Sequence, residues 1–450
     1  MAACEDLSGV IASGMCIGCG ACVHADRSLR LVFNQRTQMF EPSGPGGPQA
    51  AAVCPAVGVD FDFLHRRIFG DAALTPLGVV HAVMLAQSTD HERNLRASSG
   101  GLIRELLIEL LGREDVDGAI ALDHVGGLRF EPRLITRPQE VDGLPGSICH
   151  ALAFDKALEL LSANAGRFVL VAIPCQLEGI YSYVYRLRPE LAGRIRFTIG
   201  LLCGWQYTHH ALRAICQFKG IDFDRIEHIA FRGGGPVGRL RIRTPEGQWQ
   251  INRRVDFAYQ VAFDRSFNIP RCHLCINHSN FLAEIVVGDA WLPSTLRSST
   301  GVSLVICRTP QAAELMQTLK RRGRVRVAEV TLEEVVESQT RRVAYGDFSY
   351  AYAKYLRKIG AHCPEMVGPN RGAARLWPER AVRRFHGALC RKLALQRQGR
   401  YRRLYWRKLT LEIGPFLYRY LRWFCVRVLK IKSLLRMRRE VPKARLSDFL

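Results

Sequence analysis

Three cysteines, Cys16, Cys19 and Cys22, stand in the run CIGCGAC. A C-x2-C-x2-C spacing wraps three thiolates around one face of an iron–sulfur cube. Gly18 and Gly20 lie between them, and glycine lets the backbone turn tightly and point amides at the sulfurs. In the two-cluster bacterial run a Cys-Pro follows three residues on and serves the other cluster. Here Asp26 and Arg27 hold that place, and the Cys-Pro pair comes later, as Cys54-Pro55. The expectation is one 4Fe-4S cluster on Cys16, Cys19, Cys22 and Cys54. The competing reading is a zinc site or plain buried cysteines. Zinc sites usually pair one C-x2-C with another or with His, which fits this spacing poorly.

A second set is dispersed. Cys175 follows the apolar run FVLVAI, Cys203 follows IRFTIGLL, and Cys272 and Cys275 form the C-x2-C of RCHLC. If the two runs are neighbouring strands, Cys175 and Cys203 meet at one carboxyl edge, where a C-x2-C loop could complete four thiolates. Lone cysteines after strands are more often small core residues, so spacing alone leaves this open. His273, inside the C-x2-C, reads as a loop residue rather than a ligand.

The elements that must position these residues read as α/β. The runs VVHAVMLA, GAIALD, RFVLVAI, RIRFTIGLL, EIVVGDAW and VSLVICR have the β-rich apolar character of buried strands. SSGGLIRELLIELLG and DKALELLSANAG read as helices, the first with Leu102, Ile103, Leu106, Leu107, Leu110 and Leu111 on one face and the second ending at Gly166. Alternation of strands and helices favours a mostly parallel or mixed sheet, with sites at the carboxyl ends of its strands. Residues 1–72 are too few for a large core and need a staple. They carry a hairpin-like LRLVF…NQRTQ and the Pro/Gly-rich EPSGPGGPQ. Further divisions fall at 73–165, 166–345 and 346–450.

The chain has 450 residues and a net charge of +23, with 48% hydrophobic and 23% charged residues, which excludes collagenous and disordered classes. The charge is concentrated: residues 371–450 hold 23 of the 64 Lys and Arg but four of the 41 acids. No signal peptide and no long uncharged apolar span is visible, so a cytoplasmic protein is expected. In a reducing compartment fifteen cysteines, an odd number, argue for metal rather than disulfides. The tail interleaves Trp377, Phe385, Tyr401, Tyr405 and Trp406 with basic residues. It suits an anionic membrane surface, placing the protein peripherally at the inner membrane face, or docking on the body or a partner subunit. Nucleic acid is the lesser reading.

The ordered set SSGGLIRELL, VDGAI, FVLVAIPCQLEGI, IGLLCGW, CHLCINHSNFLAEIVVGDAW and GVSLVICRT resembles the coenzyme F420 hydrogenase/dehydrogenase beta subunit family. That family also takes in 7-hydroxymethyl chlorophyll a reductase. The resemblance covers roughly residues 80–345, with a ferredoxin-like 4Fe-4S segment preceding the core in longer members. It implies a flavin-binding core with FAD and a second 4Fe-4S cluster on Cys175, Cys203, Cys272 and Cys275. It also puts the flavin near Ser98, Ser99, Gly100 and Gly101, read as opening a helix whose free amides suit a pyrophosphate. Gly146 and Ser147 keep part of a family segment, but Ile148 and Cys149 stand where Lys and Tyr are common. Lys156 could face phosphate or solvent. Asp289, Gly301 and Ser303 would line the cleft, although an Asp at a strand end is otherwise often a helix cap.

The resemblance therefore implies an oxidoreductase moving electrons between two 4Fe-4S clusters and FAD, acting on a deazaflavin such as F420 or another small organic substrate. Ferredoxin or another redox protein would be its partner. The rival is an electron-relay subunit with no substrate of its own. A zinc-stapled nucleic-acid-binding protein fits the charge but not the α/β motifs. No general acid or base is identified.

Overall fold

The computed structural model describes residues 6–406, apart from 236–237, 264, 296–297 and 370–376. Its centre is an eight-stranded mixed sheet. The strands in chain order are β1 (Ala82–Ser88), β2 (Gly118–Gly126), β3 (Arg129–Ile135), β4 (Phe168–Ala172), β5 (Ile195–Leu201), β6 (Ile285–Asp289), β7 (Ser303–Cys307) and β8 (Val325–Glu329). Their spatial order is β8-β1-β7-β6-β5-β4-β2-β3. The pairs β2–β4, β4–β5 and β5–β6 are parallel; the other four are antiparallel. VSLVICR is thus a strand, as its composition predicts, but it runs against its neighbours. Composition reports burial on both faces and carries no direction.

Alternation along each strand feeds two cores. Ile285 and Val287 pack in one with Leu106 and Leu110, while Val286 faces the other with Leu177 and Ile180. The helices that matter to the site are α1 (Leu102–Leu111), α2 (Lys156–Ala163), α3 (Pro174–Leu187), α4 (Thr340–Lys358) and α5 (Glu379–Arg397). Helix α3 opens on Pro174 at its first turn, and the Ile173 amide donates to Gln176 Oε1 at 3.0 Å. Nearly all of it is buried, from Pro174 to Val184.

Two helix boundaries differ from expectation. Helix α1 begins after Gly101, so Ser98–Gly101 form the loop before it. Gly101 has φ +74°, and a Cβ on Gly100 would lie 2.6 Å from Ala86 O, so the chain turns sharply against the sheet before the helix starts. Helix α2 ends at Ala163 rather than Gly166.

The N-terminal piece packs into the larger core. Its predicted hairpin pairs Leu31–Asn34 with Met39–Pro42. The segment Glu365–Val367 returns to pair in parallel with Gly58–Asp60. In the basic C-terminal region Val382, Phe385, Leu389, Tyr401, Leu404 and Tyr405 are buried against the body. The described part of the extension therefore docks. The rest of it, residues 407–450, lies outside the described residues, as does the expectation of membrane binding there. No helix among the described residues is long and apolar enough to cross a membrane.

Candidate redox site at the carboxyl edge of the sheet

Cys16, Cys19, Cys22 and Cys54 are all buried. Left-handed Gly18 and Gly20, at φ +69° and +83°, carry the chain around them. Both also allow close docking: a Cβ on Gly18 would sit 2.2 Å from Leu152 O, and one on Gly20 2.2 Å from Asp155 Cα. The Gly18 amide points at Cys16 Sγ, 3.4 Å away. Burial pushes the Cys16 thiol up to about 12, with the charges of Cys54 and Glu41 adding to it and the amides of Gly18 and Ile17 opposing. Cys19 and Cys22 are raised for the same first reason, with Cys54 the strongest neighbouring charge on each. Cys16, Cys19 and Cys22 thus each feel the charge of Cys54.

The second group assembles as the strand order requires. Strands β4 and β5 are parallel neighbours, with Ala172 opposite Gly200, so the segments after them leave the same edge. Cys175 lies in the first turn of α3 and Cys203 just past β5. The loop carrying Cys272 and Cys275 closes over them: the Gln206 amide points at Cys272 Sγ at 3.5 Å, and the Cys203 amide donates to His278 O at 3.1 Å. Burial raises Cys272 to about 11 and Cys275 to about 12. Cys175 is raised well above the ordinary range, first by burial and then by Glu178 and the other three cysteines. His273 lies in the short 3-10 helix Pro270–Leu274 and is fully buried, with its ring edge-on to Phe385. From α4, the single Ser349 hydroxyl proton is shared between His273 O (3.1 Å) and Cys275 O (3.0 Å).

Each group offers four thiols, a donor set used by iron–sulfur clusters and by structural zinc alike. Among the described residues no group of three or more His, Cys, Asp or Glu is arranged to hold a metal ion.

Beside the second group, the same edge gathers most of the remaining predicted residues. Ser303 begins β7 opposite both Asp289 at the end of β6 and Ala86 of β1. The Gly100 amide donates to Ser303 Oγ at 3.0 Å, and Ser99 Oγ donates to Val302 O at 2.8 Å. The Ser147 amide donates to Ser98 Oγ at 2.8 Å, and a Cβ on Gly146 would lie 3.0 Å from that oxygen. Gly301, at φ +87°, backs onto Ser99, where a Cβ would be 2.9 Å from its carbonyl. Lys156 is not gathered here; it pairs with Glu131 at 3.2 Å with its side chain 46% exposed.

Three residues, Arg232, Arg253 and Glu105, went unnoticed in the sequence. Arg232, its side chain 9% exposed, lies beside Asp289 with Nη1 2.6 Å from Oδ2, and its Nε has no partner among the described residues. Arg253 and Arg232 both lower the Cys149 thiol, against the larger effect of burial, which puts two cations beside Asp289 and Cys149. Glu105, buried on the Leu-rich helix α1, accepts from Ser88 Oγ (2.6 Å), Arg93 Nη1 (2.7 Å) and Arg324 Nε (2.8 Å), anchoring the helix that follows the Ser98 loop. Only the interruption of an apolar stripe by Glu105 could have signalled any of them.

Comparison with known proteins matches two family descriptions to this body. The N-terminal part of the coenzyme F420 hydrogenase/dehydrogenase beta subunit matches residues 83–159, and the C-terminal part of the same protein matches residues 165–333. The chain is 24% identical over 239 residues to coenzyme F420 hydrogenase subunit beta of Methanosarcina barkeri, covering 50% of this chain and 77% of that one. It is 21% identical over 346 residues to coenzyme F420-dependent sulfite reductase of Methanocaldococcus jannaschii, covering 72% of this chain and 49% of that one. This second likeness extends beyond the stretch matched by the family descriptions. Among solved structures, a chain of the F420-reducing NiFe hydrogenase complex from Methanosarcina barkeri superposes with a TM-score of 0.50 at 18% identity, covering 66% of this chain and 98% of that one. At that identity the likeness concerns the fold.

Proposed function

The chain belongs to the coenzyme F420 hydrogenase/dehydrogenase beta subunit family, and on that premise we propose that it is an oxidoreductase that uses FAD and two 4Fe-4S clusters. Its role is redox, related to coenzyme F420. The observation that carries the finer reading is the convergence of two four-cysteine groups, the second at the carboxyl edge that also bears Ser98–Gly101, Asp289 and Ser303. In open α/β sheets that edge is where ligands bind.

FAD, when bound, supplies the exchange between paired electrons at an organic substrate and single electrons at the clusters. The protein's part is to hold and orient it. Helix α1 has no side-chain cap, so its first-turn amides remain available to a pyrophosphate. The absence of side chains at Gly100, Gly101 and Gly301 lets backbone approach closely there. Arg232 adds a largely sheltered cation to the edge. Cys16, Cys19, Cys22 and Cys54 would hold one cluster; Cys175, Cys203, Cys272 and Cys275 would hold the other. The substrate we infer is a deazaflavin of the F420 type or another small organic acceptor, with ferredoxin or a similar redox protein as electron partner. Fifteen cysteines suit the reducing cytoplasm.

A second reading, an electron-relay subunit with no substrate of its own, draws support from the fold neighbour's place in a hydrogenase complex. One experiment tests both. After anaerobic purification, about eight irons and eight sulfides with one FAD per chain are expected. Reduction of F420 by the isolated chain, with reduced ferredoxin as donor, supports the enzyme reading; cluster and flavin content without turnover supports the relay. Zinc in place of iron, with no flavin, would overturn both.

A further inference from the structure

Between the two cysteine groups lies a buried network that neither group needs for its ligands. Glu178 is fully buried on α3, one turn beyond Cys175, and Arg271, 2% exposed, immediately precedes Cys272. Arg271 Nη2 lies 3.5 Å from Glu178 Oε2, and Asn277 Nδ2 donates to Glu178 Oε1 at 2.9 Å. Arg271 also reaches the other group: its Nε donates to the carbonyl of Pro55, the residue after Cys54, at 3.2 Å. From the opposite side, the residue after Glu178 is Gly179, where a Cβ would lie 2.7 Å from Cys19 Sγ. One turn of α3 and one arginine therefore span from Cys175 and Cys272 to Cys19 and Cys54.

We propose that the Glu178–Arg271 pair, clamped by Asn277, is the electrostatic divider between the two cysteine groups and sets which of them holds an electron more tightly. The inference rests on reading both groups as cluster sites. Its physical basis is the short reach of the pair to both sides in a buried, weakly screening environment. The charges act unequally. Arg271 is the residue directly before Cys272 and lies 3.5 Å from Glu178, whereas Glu178 stands one turn from Cys175 and is followed by Gly179, packed against Cys19 Sγ. The cation thus favours added negative charge at the second group, and the carboxylate opposes it. One electron leaves one group as one arrives at the other. The pair is neither oxidised nor reduced, so these are positioning residues.

The test is an anaerobic redox titration of the full chain followed by electron paramagnetic resonance, with iron and sulfide counted first. A wild-type chain without iron would defeat the cluster reading itself, before any variant is made. With clusters present, Glu178→Gln should make the second group easier to reduce. The reduced-to-oxidised ratio at fixed ambient potential should rise at least tenfold, about 59 mV for a one-electron couple. Arg271→Met should shift it the opposite way. Arg271→Lys should stay near wild type, and the neutral pair Glu178→Gln/Arg271→Met should fall between the two single variants. The double variant is expected to fold, since a buried ion pair can often be replaced by neutral residues without loss. Where one single variant fails to load iron, the opposite shift in the other decides. Unchanged potentials in loaded variants would overturn the proposal. So would loss of loading in both single variants with normal potentials in the double, which would assign the pair a role in folding alone.

Discussion

The two cysteine groups are built in opposite ways. Three cysteines of the first lie within seven residues, on a loop whose glycines shape it, and the fourth follows a short hairpin. The second draws Cys175 from a helix start, Cys203 from a strand end and Cys272 and Cys275 from a loop held by a C-terminal helix. The first depends on local chain geometry and packs against α3 and the segment before α2. The second exists only if β4 and β5 are adjacent and α4 has packed. A local site tolerates changes in distant elements; an assembled one reports on the whole fold.

The largest effect that would sharpen this contrast is ligand removal. Cys175→Ser should lose about four irons while the first group keeps its own. Metal analysis with paramagnetic resonance reads the outcome, and loss of all iron would break the proposed independence of the first group. Next is a control at the far edge of the sheet. Burial raises the Glu284 carboxyl to about 7, with the Thr198 amide and hydroxyl opposing. The stability this group contributes is fully present below the ordinary carboxylate range. It is lost as pH rises through about 7. Glu284→Gln should flatten that decline, which is worth up to about 3 kcal/mol at roughly 1.4 kcal/mol per pH unit. Denaturant midpoints between pH 4 and pH 8 measure it, and both cysteine groups should be unaffected.

A smaller effect should cross between the groups. Gly179→Ala places a methyl group against Cys19 Sγ, and overpacking of that kind costs about 1–3 kcal/mol. Although Gly179 lies on the helix that carries Cys175, iron should be lost first from the N-terminal group; loss from the second group instead would refute the packing argument. Smallest, Ser349→Ala removes the one hydroxyl proton shared between the carbonyls of His273 and Cys275, at about 1 kcal/mol. Chelator challenge should then strip the second group faster and leave the first at its wild-type rate.

How much of this could be read beforehand differs between the two regions in the same way. CIGCGAC is a local pattern, and its three cysteines are buried, as is Cys54. The second group was suggested by Cys175 and Cys203 following apolar runs, but only family likeness joined them to Cys272 and Cys275. The helix after Ser98 was legible from its leucine spacing. The loop before it was not, because its shape follows from contact with Ala86 and Ser303 across the sheet. Lys156 was drawn toward the site by its place in the chain, yet it pairs with Glu131 on β3, a strand that went unread beside its partner β2.

The sequence by itself determined the chemistry available: cysteine spacing, apolar strands and a basic tail all act over a few neighbouring residues. Tertiary structure alone decided strand direction, the docking of residues 377–406 and the burial of Glu178 against Arg271. Those depend on surfaces meeting from opposite ends of the chain. A charge in the sequence carries no mark of whether it will face water or be sealed between two sites, because that is decided by what folds over it.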